Sequence, residues 1–101
     1  MTDGARFDEL VHPATRLSIV ALLAVADWAD FAFIRDQLGL SDSALSKQLT
    51  TLEDAGYITI DRPLSERRRR VRARLTPLGR ERYIGHVAAL RKITAEAPTT
   101  T

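Results

Sequence analysis

Apolar residues recur at helical spacing over most of the chain and alternate with polar ones over two short stretches. The segment from Pro13 to about Ala26 is apolar nearly all round after Ser18, so it is expected in the middle of the core. Phe31, Ile34 and Leu38 share one side of a shorter helix that we expect Asp30 to cap. The predicted helices span residues 1–11, 13–26, 31–38, 41–55 and 77–95.

Two runs alternate with a period of two, Tyr57–Arg62 and Arg70–Leu75, and are expected to pair as an antiparallel hairpin. In the second run Val71, Ala73 and Leu75 point inward and the arginines outward. The short Gly-containing turn 39–41 joins two of the helices in the manner of a helix-turn-helix. The fold class is therefore predicted as mainly α with a small β-hairpin, a winged helix-turn-helix.

The helix 41–55 has two contrasting faces. Leu45, Leu49 and Leu52 fall on one side, while the other carries short hydroxyl side chains, Lys47 and, at its margin, Gln48. Ser41 is a natural N-cap. Such a helix suits a DNA major groove, where hydroxyls, an amide and a lysine reach phosphates and base edges. A merely exposed polar face is the alternative.

Charge is unevenly distributed, although the formal net charge is only +2. Residues 62–82 hold nine arginines and two acids, a net +7, whereas the rest of the chain holds six cations and eleven acids, a net −5. A local cationic block of this kind is typical of a protein that binds a polyanion. Because consecutive arginines repel one another without an anion, we favour phosphate contact over a solvated charged loop.

Four phrases in this order resemble the compact MarR/ArsR-type winged-helix transcriptional regulators: HPATRLSI, LSDSALSKQL, LEDAGYI and RLTPLGR. The resemblance covers roughly residues 10 to 92. It implies a homodimer that binds double-stranded DNA, with helix 41–55 in the major groove and the wing 62–74 on the backbone or minor groove. Length and composition predict a single winged-helix domain over 1–95 and a disordered tail over 96–101. A repressor is the expected role.

The expected DNA contacts combine the helix pattern with positions matched from that family. They are Ser41, Ser43, Ala44, Ser46, Lys47, Gln48, Thr51, Arg67, Arg68, Arg69, Arg70 and Arg72. Two departures stand out. Many relatives have His after the lysine, whereas Gln48 stands here, so a base preference cannot be carried over. The wing run 67–70 is also denser in arginine than is usual.

Family geometry also predicts a dimer interface on the terminal segments. Its expected residues are Phe7, Leu10, Tyr83, Ile84, Val87 and Leu90. His12 is interpreted as a boundary residue and His86 as a surface or interface residue on the last helix.

Several other classes of function are disfavoured. The chain has no cysteine and only two histidines, far apart in sequence, so an ArsR-type metal site is not expected, and neither is a cofactor. No catalytic pattern, signal peptide or membrane-spanning run appears, which favours a non-enzymatic cytoplasmic protein. Two alternatives stay open: a winged-helix protein-interaction module, and a small-molecule sensor with a pocket between subunits.

Overall fold

The computed structural model describes residues 4–62 and 70–96, which form four helices and a three-stranded sheet. The helices are α1 (Ala14–Ala26), α2 (Phe31–Leu38), α3 (Asp42–Asp54) and α4 (Pro77–Glu96). The strands are β1 (Trp28–Asp30), β2 (Ile58–Asp61) and β3 (Arg72–Leu75). The predicted winged helix-turn-helix is confirmed.

Helices α1, α2 and α3 meet around a core to which each contributes its predicted apolar face. Leu45, Leu49 and Leu52 of α3 are buried, as is Ile34 of α2. Gly39 ends α2 with a positive φ of 64°, which a glycine adopts without steric cost, and its N–H reaches back to the last turn. The Ser41 hydroxyl then accepts the Ala44 N–H at 3.1 Å and starts α3.

The hairpin is larger than predicted, because a third strand joins it. The sheet order is β1-β3-β2, and both pairings are antiparallel, with Ala29 opposite Ala73 on one side and Ile60 opposite Ala73 on the other. Strand β1 has only three residues, too few to show alternation, so only its partner defines it. Asp30 occupies the N-cap position of α2, as predicted, but its carboxylate makes no hydrogen bond to the α2 amides. It lies instead beside Arg70 and Arg72 of the wing.

The N-terminal helix predicted over residues 1–11 does not form in the described part of that range, residues 4–11, which make bends and turns. The carboxylate of Asp8 explains this, because its Oδ1 accepts the backbone N–H groups of Leu10 and Val11 at 2.9 and 3.3 Å. Such a local bond offers the backbone an alternative to helical hydrogen bonds. The segment instead lies along α4, where the Arg6 N–H donates to the Gly85 carbonyl at 2.9 Å.

Helix α4 follows the sheet through a cap and a close backbone contact. The Thr76 hydroxyl accepts the Gly79 N–H at 2.9 Å, as the Thr-Pro pair predicts. Gly79 lies so close to the Tyr57 carbonyl that a Cβ would overlap it. Farther along, Ile84 and Ile93 remain 58% and 54% exposed.

On α1, Val25 is 90% exposed, so that helix is not buried all round as expected.

Candidate nucleic-acid interface

The outward face of α3, defined as Ser43, Ser46, Lys47 and Thr50, is exposed to solvent. It lies opposite the buried leucines, because residues three and four apart share one side of a helix. Ala44, Gln48 and Thr51 form a half-buried margin beside it. The predicted DNA-contacting residues of this helix therefore lie together on one accessible surface.

Three hydroxyl groups on or beside this helix already have local partners. Thr50 Oγ1 donates to the Ser46 carbonyl at 2.9 Å and Thr51 Oγ1 to the Lys47 carbonyl at 3.1 Å, while Ser41 serves as the cap. A hydroxyl that donates its hydrogen still has lone pairs, so the threonines remain acceptors. Lys47 makes no ion pair within the described residues, which leaves its charge available to an external anion.

The turn between α2 and α3 is held by a cation. Arg35 on α2 donates to Asp36 at 2.9 Å and to Asp42, the first residue of α3, at 2.8 Å. The hydrogen bonds to Asp36 and then to Asp42 raise the pKa of the Arg35 guanidinium. The two helices of the motif are therefore connected by side chains as well as by the turn.

The base of the wing gathers a second set of cations around Asp30. Arg70 and Arg72 lie 3.7 and 3.4 Å from its carboxylate oxygens, and the Arg72 guanidinium also lies 4.2 Å from the centre of the Trp28 ring. Asp30 Oδ1 is buried without a hydrogen bond among the described residues. Arg67, Arg68 and Arg69, also predicted to contact DNA, fall outside the described residues.

Two surface grooves connect α3 with the wing. Asp42 at the start of α3 and Arg70 line one, together with Phe33 of α2. Ser46 and Thr50 line the other, together with Arg62 at the end of β2. The fold thus brings the polar face of α3, Arg62 and Arg70 to one side of the molecule.

Arg16 is a residue of this surface that sequence reasoning missed. From the first turns of α1, its Nη1 donates to Gln48 Oε1 at 2.8 Å and its Nε donates to the Leu10 carbonyl at 2.6 Å. The available signal was a lone cation in the polar first turn of an otherwise apolar helix. That pattern cannot name a partner 32 residues away.

The interpretation of His86 as a surface residue is wrong, because its side chain is completely buried. Its Nδ1 accepts the Asp8 N–H at 2.9 Å, and its Nε2 lies 3.2 Å from His12 Nδ1. Since Nδ1 is an acceptor here, the neutral ring carries its hydrogen on Nε2 and donates to His12. Tyr57 Oη donates to Asp8 Oδ2 at 2.6 Å and completes a polar cluster in which Asp8, Tyr57 and His86 are buried and His12 is exposed.

Burial shapes the protonation of this cluster. Burial, and after it the nearby His12, lowers the pKa of His86. Burial also acts to raise the pKa of Asp8, but hydrogen bonds from Tyr57 and from the Leu10 and Val11 amides outweigh it, so that pKa is lowered. The pKa of Tyr57 is raised by burial and by its bond to Asp8.

The two histidines, distant in sequence, are thus neighbours in the fold. Across residues 4–62 and 70–96, no group of three or more histidine or acidic side chains is placed to hold a metal ion. Over the same residues, no helix is long and apolar enough to cross a membrane.

Comparison with known proteins identifies the fold and the family. Residues 15–94 match the model of the winged helix DNA-binding domain. The chain belongs to this family of DNA-binding domains. It is a winged helix-turn-helix protein of the transcriptional-regulator type, and the resemblance to MarR-type regulators is confirmed.

Several individual proteins are similar to this chain. The uncharacterized protein MJ0432 of Methanocaldococcus jannaschii is 25% identical over 87 residues, which cover 83% of this chain and 95% of that protein. A transcriptional regulator homologue from Pyrococcus horikoshii OT3 shares the fold with a TM-score of 0.82 at 22% identity, over 87% of both chains. Zinc-responsive ZitR of Lactococcus lactis, a MarR family member, gives a TM-score of 0.63 at 28% identity, over 81% of this chain and 56% of its own.

Proposed function

We propose that this winged-helix domain is a sequence-specific transcriptional regulator that acts as a homodimer. Each α3 enters a major groove and each wing contacts the flanking backbone or minor groove. The two half-sites lie about one helical turn apart, as two-fold docking of paired helices requires. Binding at a promoter represses transcription.

One observation carries this proposal: the outward face of α3 and the wing arginines open onto the same side of the fold. Lys47 is exposed on α3 and has no ion-pair partner among the described residues, while Arg62 and Arg70 border the grooves that lead from α3 to the wing. Short hydroxyl side chains around Lys47 permit close approach to base edges and phosphates. A domain that only bound other proteins would not need this cationic flank.

The dimer interface is proposed on the terminal segments. Ile84 and Ile93 leave apolar surface on α4, and Phe7 is 39% exposed beside the same helix. Leu10 and Tyr83 pack partly into the monomer core, so they would contribute less to the interface than Ile84. Val87 and Leu90 are half-buried along α4. A two-fold contact of such faces would bury apolar surface that a monomer leaves in water.

A small-molecule effector is the second candidate feature. NadR was solved in complex with 4-hydroxyphenylacetate; it has a TM-score of 0.72 to this chain at 25% identity, over 86% of this chain and 61% of its own. By analogy, an effector pocket here would lie between the two subunits. This possibility is a refinement of the DNA-binding proposal and depends on the dimer.

Fluorescence anisotropy tests the DNA-binding proposal directly. Purified protein is titrated against its own upstream region and against a random duplex of equal length at several salt concentrations. We expect a steep salt dependence and binding of the upstream fragment that is about a hundredfold tighter or more. Weak binding to both fragments with a flat salt slope would instead favour the protein-interaction module.

Analytical ultracentrifugation tests the dimer separately. We expect a dimer at tens of micromolar for the wild type and a shift toward monomer for Ile84→Glu, because the charge would lie in a desolvated contact. Val25→Glu is a matched control on an exposed apolar residue of α1. A wild-type protein that sediments only as a monomer would rule out the homodimer.

A further inference from the structure

Arg16 connects the N-terminal segment to the recognition helix through two hydrogen bonds. It donates from Nε to the Leu10 carbonyl at 2.6 Å and from Nη1 to Gln48 Oε1 at 2.8 Å. Within the described residues no carboxylate pairs with it, so its charge is not neutralised by an ion pair. The guanidinium is half-buried and held at two points, which orients it toward α3.

This contact fixes which atom of the Gln48 side-chain amide faces Arg16. A guanidinium can only donate hydrogen bonds, so the atom that faces it must be the amide oxygen, and the N–H₂ group is left for another partner. Among residues 4–62 and 70–96, the side chain of Gln48 makes no other hydrogen bond. Gln48 lies at the margin of the outward face of α3, next to Lys47, where a base edge would be within reach in the proposed complex.

A glutamine that presents mainly its N–H₂ donors to the DNA is expected to prefer a different base from a glutamine whose amide rotates freely. The usual pairing of glutamine with adenine is bidentate: the amide oxygen accepts from N6 and the amide nitrogen donates to N7. Here a charged donor takes one of the two lone pairs of the oxygen and restrains the rotation of the amide, so the orientation that pairs both amide atoms with adenine is disfavoured. Guanine presents two neighbouring acceptors, N7 and O6, and requires only donors.

We infer that Arg16 is a specificity-determining positioning residue, which holds the Gln48 amide as a donor so that its base pair is read as guanine rather than adenine. This inference rests on the proposed entry of α3 into the major groove. It extends the proposed function by predicting which base is preferred at one position of the half-site. That preference depends on Arg16, which lies on α1 and outside the recognition helix.

Selection of binding sites from a randomised duplex library, with the full chain, tests the inference. The wild type should enrich a motif with guanine at the position read by Gln48. Gln48→Ala should relax that position alone and thereby identify it. If the wild type enriches no motif, the proposed function fails and the inference fails with it. If a motif appears but Gln48→Ala changes no position, or relaxes an adenine, only the inference is overturned.

Arg16→Met removes the donors but keeps an unbranched apolar stem. Freed from Arg16, the amide should recover the bidentate adenine pairing, and the guanine-to-adenine ratio at that position should fall by about tenfold. Arg80→Met is the control, because Arg80 donates to the Ala24 carbonyl rather than to Gln48, and it should leave the ratio unchanged. An unchanged ratio in Arg16→Met, with folding verified by thermal melting, would overturn the positioning role.

Gln48→Glu supplies a second test if Arg16→Met fails to fold. A carboxylate keeps the partner of Arg16 but offers only acceptors, so guanine should be lost and the cytosine N4 donor favoured at the same position. Retention of guanine by Gln48→Glu would show that the side chain does not read this base pair and would overturn the inference.

Discussion

The outward face of α3 and the buried polar cluster around His86 both consist of polar side chains. They differ in environment, because the first is exposed to solvent and the second is buried. On α3 the side chains are exposed, and Lys47 makes no ion pair within the described residues. In the cluster, Asp8, Tyr57 and His86 are buried, and each has a partner at hydrogen-bond distance. Burying a polar group costs free energy unless it is hydrogen-bonded. The hydrogen bonds of the cluster therefore stabilise the fold, whereas the exposed side chains of α3 remain available to bind a ligand.

This comparison predicts that substitutions in the two regions act on different properties. His86→Ala leaves a cavity and removes the acceptor of the Asp8 N–H, so we expect a loss of about 2–4 kcal/mol in the free energy of unfolding. Lys47→Ala should change it by less than about 0.5 kcal/mol. Urea unfolding at one fixed protein concentration measures both, since a dimer's stability depends on concentration. Equal, small changes would contradict the distinction.

The cluster should also make stability depend on pH. His86 has a lowered pKa, so the unfolded chain binds its proton more readily than the folded one, and stability should fall as pH drops below the ordinary histidine value of about 6.5. Protonation at Nδ1 would also remove the acceptor of the Asp8 N–H. The lowered pKa of Asp8 adds a further loss below about pH 4.

Thermal melts from about pH 3 to about pH 11 measure this dependence. His86→Gln, which does not titrate, should flatten the slope between pH 7 and 5, and His12→Gln serves as the comparison at the neighbouring ring. At the alkaline end, the raised pKa of Tyr57 predicts a loss of stability above about pH 10. A slope that survives His86→Gln would assign the acid sensitivity to other groups.

On the DNA-binding side, Lys47→Ala should weaken binding to the upstream fragment by about five- to tenfold and lower the salt slope by about one unit. The reason is the loss of one cationic contact that no neighbouring side chain replaces. Lys92→Ala, which removes the same charge from α4, is the control for net charge. Anisotropy titrations at several salt concentrations distinguish the two, and equal effects of the two substitutions would place Lys47 outside the contact surface.

The smallest expected effect concerns the base of the wing. Asp30→Asn removes the carboxylate that lies beside Arg70 and Arg72, so these cations become more available to phosphate. Binding to all DNA sequences should tighten by roughly two- to fivefold, in keeping with the energy of partly exposed ion pairs. Asp27→Asn removes a charge that lies near Arg80 instead and should have no such effect. Weaker binding by Asp30→Asn would mean that Asp30 orients the arginines.

Most elements of the fold could be predicted because their signals are local. The leucines of α3, the Ser41 cap, the Gly39 turn and the Thr76 cap each depend on residues within a few positions. The exposed polar face of α3 followed from the same periodicity. Arg16 could not be found in this way, because its partner lies on another helix, and the three wing arginines 67–69 remain a prediction outside the described residues.

By itself, the sequence determined the order of helices and hairpin, the apolar face of each element and the cationic block, because helical and strand periodicities and charge runs are properties of neighbouring residues. Only the tertiary structure determined which polar groups are buried and which groups they bind. In the folded chain, the Asp8 carboxylate accepts a hydrogen bond from a local backbone amide instead of lying in a helix, and His86 is buried in the core. The Asp30 carboxylate lies beside Arg72 of the wing. These outcomes depend on which distant group can satisfy a buried donor or acceptor, and that pairing exists only once the chain is packed.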